Sequence, residues 1–134
     1  QKAKQVIATN ELAAKFYQAC LTKTPYGKAA LDYLHNRGIT DDIIEDFSMG
    51  FAINSFNGLM NALGKRGYNG EMLMQAGLAV PGKNGGAYDK FRGRVMIPIK
   101  DPRGRIVGFT GRILGDGMPK YMNTGETEFF IKRY

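Results

Sequence analysis

Apolar positions in the first 46 residues recur at helical spacing. Leu12, Phe16, Ala19 and Cys20 fall on one face, and Thr24-Pro25-Tyr26-Gly27 then breaks the run with turn chemistry. The spacing predicts a second helix over about 28–37 that buries Ala30, Leu31 and Leu34 and stops at Gly38. A third begins at Thr40, a good N-cap, with Asp41 and Asp42 in the first turn, where the helix dipole favours acids. From Phe47 the helical period gives way to alternation. Phe47, Met49, Phe51 and Ile53 read as a half-buried strand. Phe56, Leu59, Met60 and Leu63 return to helical spacing, and Asn69 caps a short helix that ends at Gly77.

The second half reads as sheet. Pro81-Gly82 and Asn84-Gly85-Gly86 are turn sequences. Val95–Ile99 and Ile106–Thr110 are predicted strands, and Tyr121-Met122-Asn123 is a candidate third. No internal repeat or low-complexity tract interrupts the chain. The expected class is α+β (mixed α/β), with N-terminal helices packed on a small, mainly antiparallel sheet. The expectation is one domain over 1–134: helical over 1–46, mixed over 47–80, and β-rich and basic over 81–134.

Composition narrows the chemistry. The 134 residues are 43% hydrophobic, enough to bury a core. The net charge of +7 favours a polyanionic partner: nucleic acid, an anionic membrane, or nucleotides. One cysteine, Cys20, builds neither a disulfide framework nor a Cys-based zinc site, and His35 has no second His or Cys nearby. No apolar run approaches the roughly 20 residues that span a bilayer, and no secretory signal is visible. The chain begins at Gln1 without a methionine and stops at Lys132-Arg133-Tyr134, which reads as a segment of something larger.

The charge is concentrated. Residues 1–82 carry eight basic and seven acidic side chains, a net of +1, whereas residues 90–120 carry eight basic against two acidic, a net of +6. A three-residue loop, Pro102-Arg103-Gly104, with Gly104 left-handed would pair Arg94 with Arg112, Met96 with Thr110 and Pro98 with Gly108. That register puts Arg92, Arg94 and Arg112 on an outer face. It leaves Val95, Ile97, Ile99, Val107, Phe109 and Gly111 facing the helices. Pro98 lacks a donor, so its strand is expected at an edge or with that side unpaired. Beyond the hairpin, Gly115–Pro119 reads as a loop leading into Lys120, Tyr121 and Asn123. These can hold a phosphate, stack, and bond a sugar or base. Glu126 and Glu128 are one local acidic pair, a poor two-metal site. No Walker-type loop, zinc pattern or nucleophile–base pair is present.

These residues, in this order, resemble bacterial DnaG-type DNA primases. Lys90-Phe91-Arg92-Gly93-Arg94-Val95-Met96-Ile97-Pro98-Ile99 is similar to the family's basic motif, and Asp101 to Arg112 to the hairpin that follows it. Pro119-Lys120-Tyr121-Met122-Asn123 with Glu126-Thr127 resembles the next motif. Tyr33-Leu34, Arg37-Gly38-Ile39, Phe47 and Gly50-Phe51-Ala52 resemble the helical entry segment. Two stretches depart from the pattern: Asn123-Thr124-Gly125-Glu126 where Asn-Ser-Pro-Glu is commoner, and Phe130-Ile131-Lys132-Arg133-Tyr134 where Phe-His-Lys-Gly-Arg is usual.

The resemblance implies the N-terminal half of the primase RNA polymerase core, without the zinc-binding part expected before Gln1 and the magnesium-binding TOPRIM part expected after Tyr134. It implies DNA binding by Lys90, Arg92, Arg94 and Arg112, with Arg37 and Phe56 contributing, and nucleotide contacts at Lys120, Tyr121, Asn123 and Lys132. The implied partners are single-stranded DNA template, NTPs and RNA primer, with the replicative helicase reached through another domain. A monomer in the bacterial cytoplasm, near the nucleoid and off the membrane, is expected. No cofactor is expected in the fragment, since magnesium and zinc belong to the family's other domains. Alone, the chain is expected to make no primer. Two other readings remain open: a nucleotide- or alarmone-binding regulatory module centred on Lys120 and Tyr121, and a basic RNA-binding domain.

Overall fold

The computed structural model describes residues 2–125. Helix α1 (Lys2–Thr22) leads through a 3-10 turn (Pro25–Gly27) to α2 (Lys28–Asn36) and α3 (Asp41–Asp46). Strand β1 (Gly50–Ala52), α4 (Gly58–Gly64), α5 (Gly70–Gln75), β2 (Ala79–Pro81) and β3 (Ala87–Asp89) follow. The described chain ends with β4 (Arg94–Lys100), β5 (Ile106–Ile113) and β6 (Tyr121–Asn123). An antiparallel sheet runs in the order β1-β4-β5-β6, and β2 and β3 form a separate antiparallel pair. The α+β class is as the sequence predicts, and residues 121–123 do form a strand.

The helix ends follow local chemistry. The Thr40 hydroxyl accepts from the Ile43 N–H at 3.3 Å, and the Asn69 side chain accepts from Met72 N–H at 3.0 Å. Gly38 and Gly77 end α2 and α5 at φ +84° and +77°, a conformation that costs glycine little. Helix α4 differs, because Asn57 at its start makes no side-chain cap. The Asp89 carboxylate, 30 residues on, supplies it instead, accepting from Leu59 N–H at 2.8 Å and Met60 N–H at 3.0 Å.

Both faces of the large sheet are covered, which corrects two expectations. On one side Tyr17 of α1 meets Phe109 edge-on, with ring centroids 5.5 Å apart, in a core shared with Phe91 and Met96. On the other, Leu34 and Ile44 of α2 and α3 pack in a cluster with Phe51 and Val95. Strand β1 is therefore buried throughout rather than half-buried. Phe47, expected in that strand, caps α3 and is 60% exposed. Alternation diagnoses a strand only when one face is wet.

The second correction is the hairpin register. The turn itself is as expected: Gly104 is left-handed at φ +82°, its N–H reaches the Asp101 carbonyl at 2.9 Å, and Lys100 pairs with Ile106. A bulge then intervenes, because Ile99 pairs with Gly108 and Val107 is left over. Every later partner is shifted by one: Pro98 faces Phe109, Ile97 faces Thr110, Val95 faces Arg112 and Arg94 faces Ile113. Arg94 and Arg112 thus lie on opposite faces. Ile106 and Val107 are both buried, and α1 holds the irregular backbone. Asn10 Nδ2 donates to the Ile106 carbonyl at 3.1 Å, and Glu11 accepts from the Ile106 N–H at 3.4 Å. Strand β4 is interior, and β1 pairs only with Arg94, Val95 and Met96, so Pro98 sits past the end of β1.

Candidate nucleic-acid interface

Arg92 is the centre of one constellation. It lies in the segment between β3 and β4, and its guanidinium sits 4.4 Å from the Phe56 ring centroid and 5.4 Å from that of Tyr88. The two rings meet edge to face at 5.6 Å. Phe56 is 61% exposed, so a cation and an open aromatic face stand side by side.

Asp89 organises this group. Its N–H donates to the Phe56 carbonyl at 2.7 Å, its own carbonyl accepts from Arg92 Nη1, and its carboxylate caps α4. Burial raises the pKa of this carboxyl, while the two helix N–H groups and nearby Arg92 pull the other way. Sequence reading passed over Asp89 and Tyr88. No local signal marks Asp89, because Asn57 is itself a good capping residue and the contact with α4 spans 30 residues.

Arg112 is the centre of a second constellation. From β5, its Nε donates to the Tyr33 hydroxyl at 2.6 Å and its Nη1 to the Tyr121 hydroxyl at 2.8 Å. Its guanidinium also lies 5.8 Å and 5.1 Å from those ring centroids. The Tyr33 hydroxyl, against the opposing effect of burial, holds the Arg112 pKa above its ordinary value. Arg37, at the end of α2, sits 5.5 Å from the Tyr33 ring, so Tyr33 brings two arginines to one aromatic. The sequence marks Tyr33 only as part of a motif, because its bridging place depends on the register shift that turns Arg112 toward α2.

The remaining expected residues divide. Lys90 donates to the Asn123 carbonyl at 2.7 Å, and burial lowers its pKa. Lys120, Tyr121 and Asn123 are exposed along β6 and its entry. Arg94 is not on an outer face: it is 5% exposed, and its Nη1 donates to the carbonyls of Gly111, Pro119 and Lys120. Lys132 and the Glu126–Glu128 pair lie outside the described residues. An open cleft of about 610 Å³ among the first three helices, lined by residues such as Lys23, His35 and Glu45, includes none of the expected site residues. Among the described residues no three His, Cys, Asp or Glu side chains are grouped to hold a metal ion. Nor is any helix among them long and apolar enough to cross a membrane.

A family model for the N-terminal domain of the DNA primase catalytic core matches residues 16–134. The chain belongs to this family. Among its primase relatives, the DNA primase of Salmonella typhimurium is 45% identical over 117 residues, which cover 87% of this chain and 20% of that protein. The chain spans about a fifth of the length of the curated primases it matches. A DnaG primase catalytic domain bound to single-stranded DNA superposes with a TM-score of 0.88 at 37% identity, over 96% of this chain and 41% of that one. The RNA polymerase domain of the Mycobacterium tuberculosis primase in complex with double-stranded DNA gives a TM-score of 0.84 at 33% identity, over 92% and 39%. The fold described above is thus that of the N-terminal domain of the primase catalytic core.

Proposed function

We propose that this chain is the template-holding half of a DNA primase, an enzyme that makes short RNA primers for DNA replication. The observation that carries the proposal is the Arg92 guanidinium stacked on the exposed Phe56 ring. A base can stack on an aromatic face while a neighbouring cation meets the phosphate, and this pairing suits single strands of any sequence. Arg112, Arg37 and Lys90 extend the cationic surface. In this reading Lys120, Tyr121, Asn123 and Lys132 contact incoming nucleotide or primer. In this reading the metal chemistry and the helicase contact belong to other parts of the enzyme, and the chain works as a monomer near the nucleoid. The related primase domains with bound DNA support the reading.

The test is fluorescence anisotropy with a labelled single strand at several salt concentrations. Four neutralised phosphates give a log–log salt slope of about −3, from roughly −0.7 per contact. Arg92→Ala is expected to weaken binding and flatten the slope by about 0.7. Absence of binding at low salt, or an unchanged Arg92→Ala variant, overturns the proposal.

A further inference from the structure

We infer that Arg94 is a positioning residue that clasps the backbone leading into β6, and so sets Lys120, Tyr121 and Arg112 for the nucleic acid without contacting phosphate itself. The inference rests on the template-holding role proposed above.

Arg92 and Arg94 are two residues apart and do opposite things. Arg92 lies against an open aromatic surface. Arg94 runs inward across Gly111, where an added Cβ would stand 3.2 Å from its Cδ. Its Nη1 then bonds Gly111 at 3.2 Å on β5 and Pro119 at 2.8 Å on the incoming segment, with Lys120 at 3.4 Å. One guanidinium nitrogen therefore ties β5 to the residues that open β6.

What it holds is the entry to a short edge strand. Strand β6 is three residues long and at the sheet edge, and the Gly115–Lys120 loop before it is exposed. The Lys120 carbonyl also accepts from the Ile113 N–H at 2.8 Å, and Tyr121 pairs with Arg112 and accepts from its Nη1. Displacing residues 119–120 would move a lysine, a tyrosine and an arginine of the candidate interface together. A planar guanidinium suits this task because it fixes the directions of the Nη1 hydrogens relative to the rest of the side chain, whereas an ammonium is free to rotate and sits on a shorter, flexible stem.

Two measurements on the 134-residue chain test the clasp. By hydrogen exchange, Arg94→Lys is expected to speed exchange of the Ile113 amide while leaving the Thr40-capped Ile43 amide unchanged. Unaltered Ile113 exchange overturns the inference. By anisotropy, Arg94→Lys is expected to weaken DNA binding, and Arg94→Lys with Lys120→Ala is expected to be no more than about twofold weaker than Lys120→Ala alone. Losses that multiply would make Arg94 an independent strand contact and overturn the inference, as would unchanged binding. Arg92→Ala combined with Lys120→Ala serves as the multiplying control. If Arg94→Lys does not fold, Arg94→Gln, which keeps an amide donor without the charge, is compared with Arg94→Ala. Better Ile113 protection in the glutamine variant supports the clasp, and equal loss in both overturns it. A wild-type chain that binds no DNA sinks the template reading alone, because the exchange result stands by itself.

Discussion

At the scale of single residues, neighbouring arginines divide into surface and support. Arg92 keeps its charge beside an open ring, and Arg94 spends its donors on backbone carbonyls. Gly111 makes the second arrangement possible. A Cβ there would lie 2.8 Å from Phe91 Cδ1 and 3.0 Å from Met96 Sδ as well as against Arg94. Phe91 and Met96 are fully buried and have nowhere to retreat. Gly111→Ala is therefore expected to cost about 1–3 kcal/mol by overpacking, read as a lower urea midpoint at unchanged m-value. The nearness of Phe56 to Arg92 was partly legible in the sequence, through the resemblance. The burial of Arg94 was not, because its direction depends on how many residues separate it from its partner across the strand.

At the scale of elements, caps and turns were legible and registers were not. Thr40, Asn69, Gly38, Gly77 and Gly104 act through their own backbone neighbourhood, so sequence alone placed them. Asp89 capping α4 is a contact across 30 residues, and local reading has no access to it. The turn between β4 and β5 carries a second carboxylate that binds backbone N–H groups, here within four residues of itself. Asp101 Oδ1 accepts from the Arg103 and Arg105 N–H groups at 2.9 Å each, and Oδ2 from Arg105 Nε at 2.7 Å. Burial alone would raise the Asp101 pKa, but these donors and the Arg105 charge outweigh it and hold it below the ordinary value. With the folded pKa depressed, Asp101 contributes stability above its unfolded pKa of about 3.9, and that contribution is lost as pH falls through the folded value. Asp101→Asn is expected to be less stable than the parent at pH 7 and to lose less on acidification from pH 5 downward. Urea midpoints across that range check it, and parallel acid limbs in the two proteins count against it.

At the scale of the whole molecule, one sheet separates two cores, and the charge gathers around its last strands. The sequence showed the second of these, since residues 90–120 hold most of the excess. It concealed the first, because a sheet covered on both faces writes apolar residues at successive positions and erases the alternation on which strand reading depends. Distant parts also meet closely. Gly77, ending α5, has no room for a side chain: a Cβ would stand 2.0 Å from the Thr124 carbonyl oxygen, just past β6. Thr124 is itself bound to β5, its N–H donating to the Phe109 carbonyl and its hydroxyl accepting from Phe109 N–H. Gly77→Ala should cost more than the roughly 1–2 kcal/mol of a left-handed alanine and should speed exchange of the Phe109 and Thr124 amides together. Gly38→Ala, with open space around its Cβ, should cost only the backbone term and leave those amides unchanged.

Val107 has a consequence beyond its own packing. Because leaving this one residue unpaired, and not the polarity of its neighbours, decides which way Arg94 and Arg112 turn, the hairpin depends on where its irregularity falls. Rewriting Val107 as another apolar residue changes one contact. Pairing it in the ladder instead, so that Val107 met Ile99, would realign β5 by one step, set the two guanidinium groups across from each other, and take Arg112 away from Tyr33 and Arg94 away from Pro119 at one stroke. Deleting Val107 is thus expected to keep every later partner, from Ile99 with Gly108 to Arg94 with Ile113, and to remove only the local bend of the bulge.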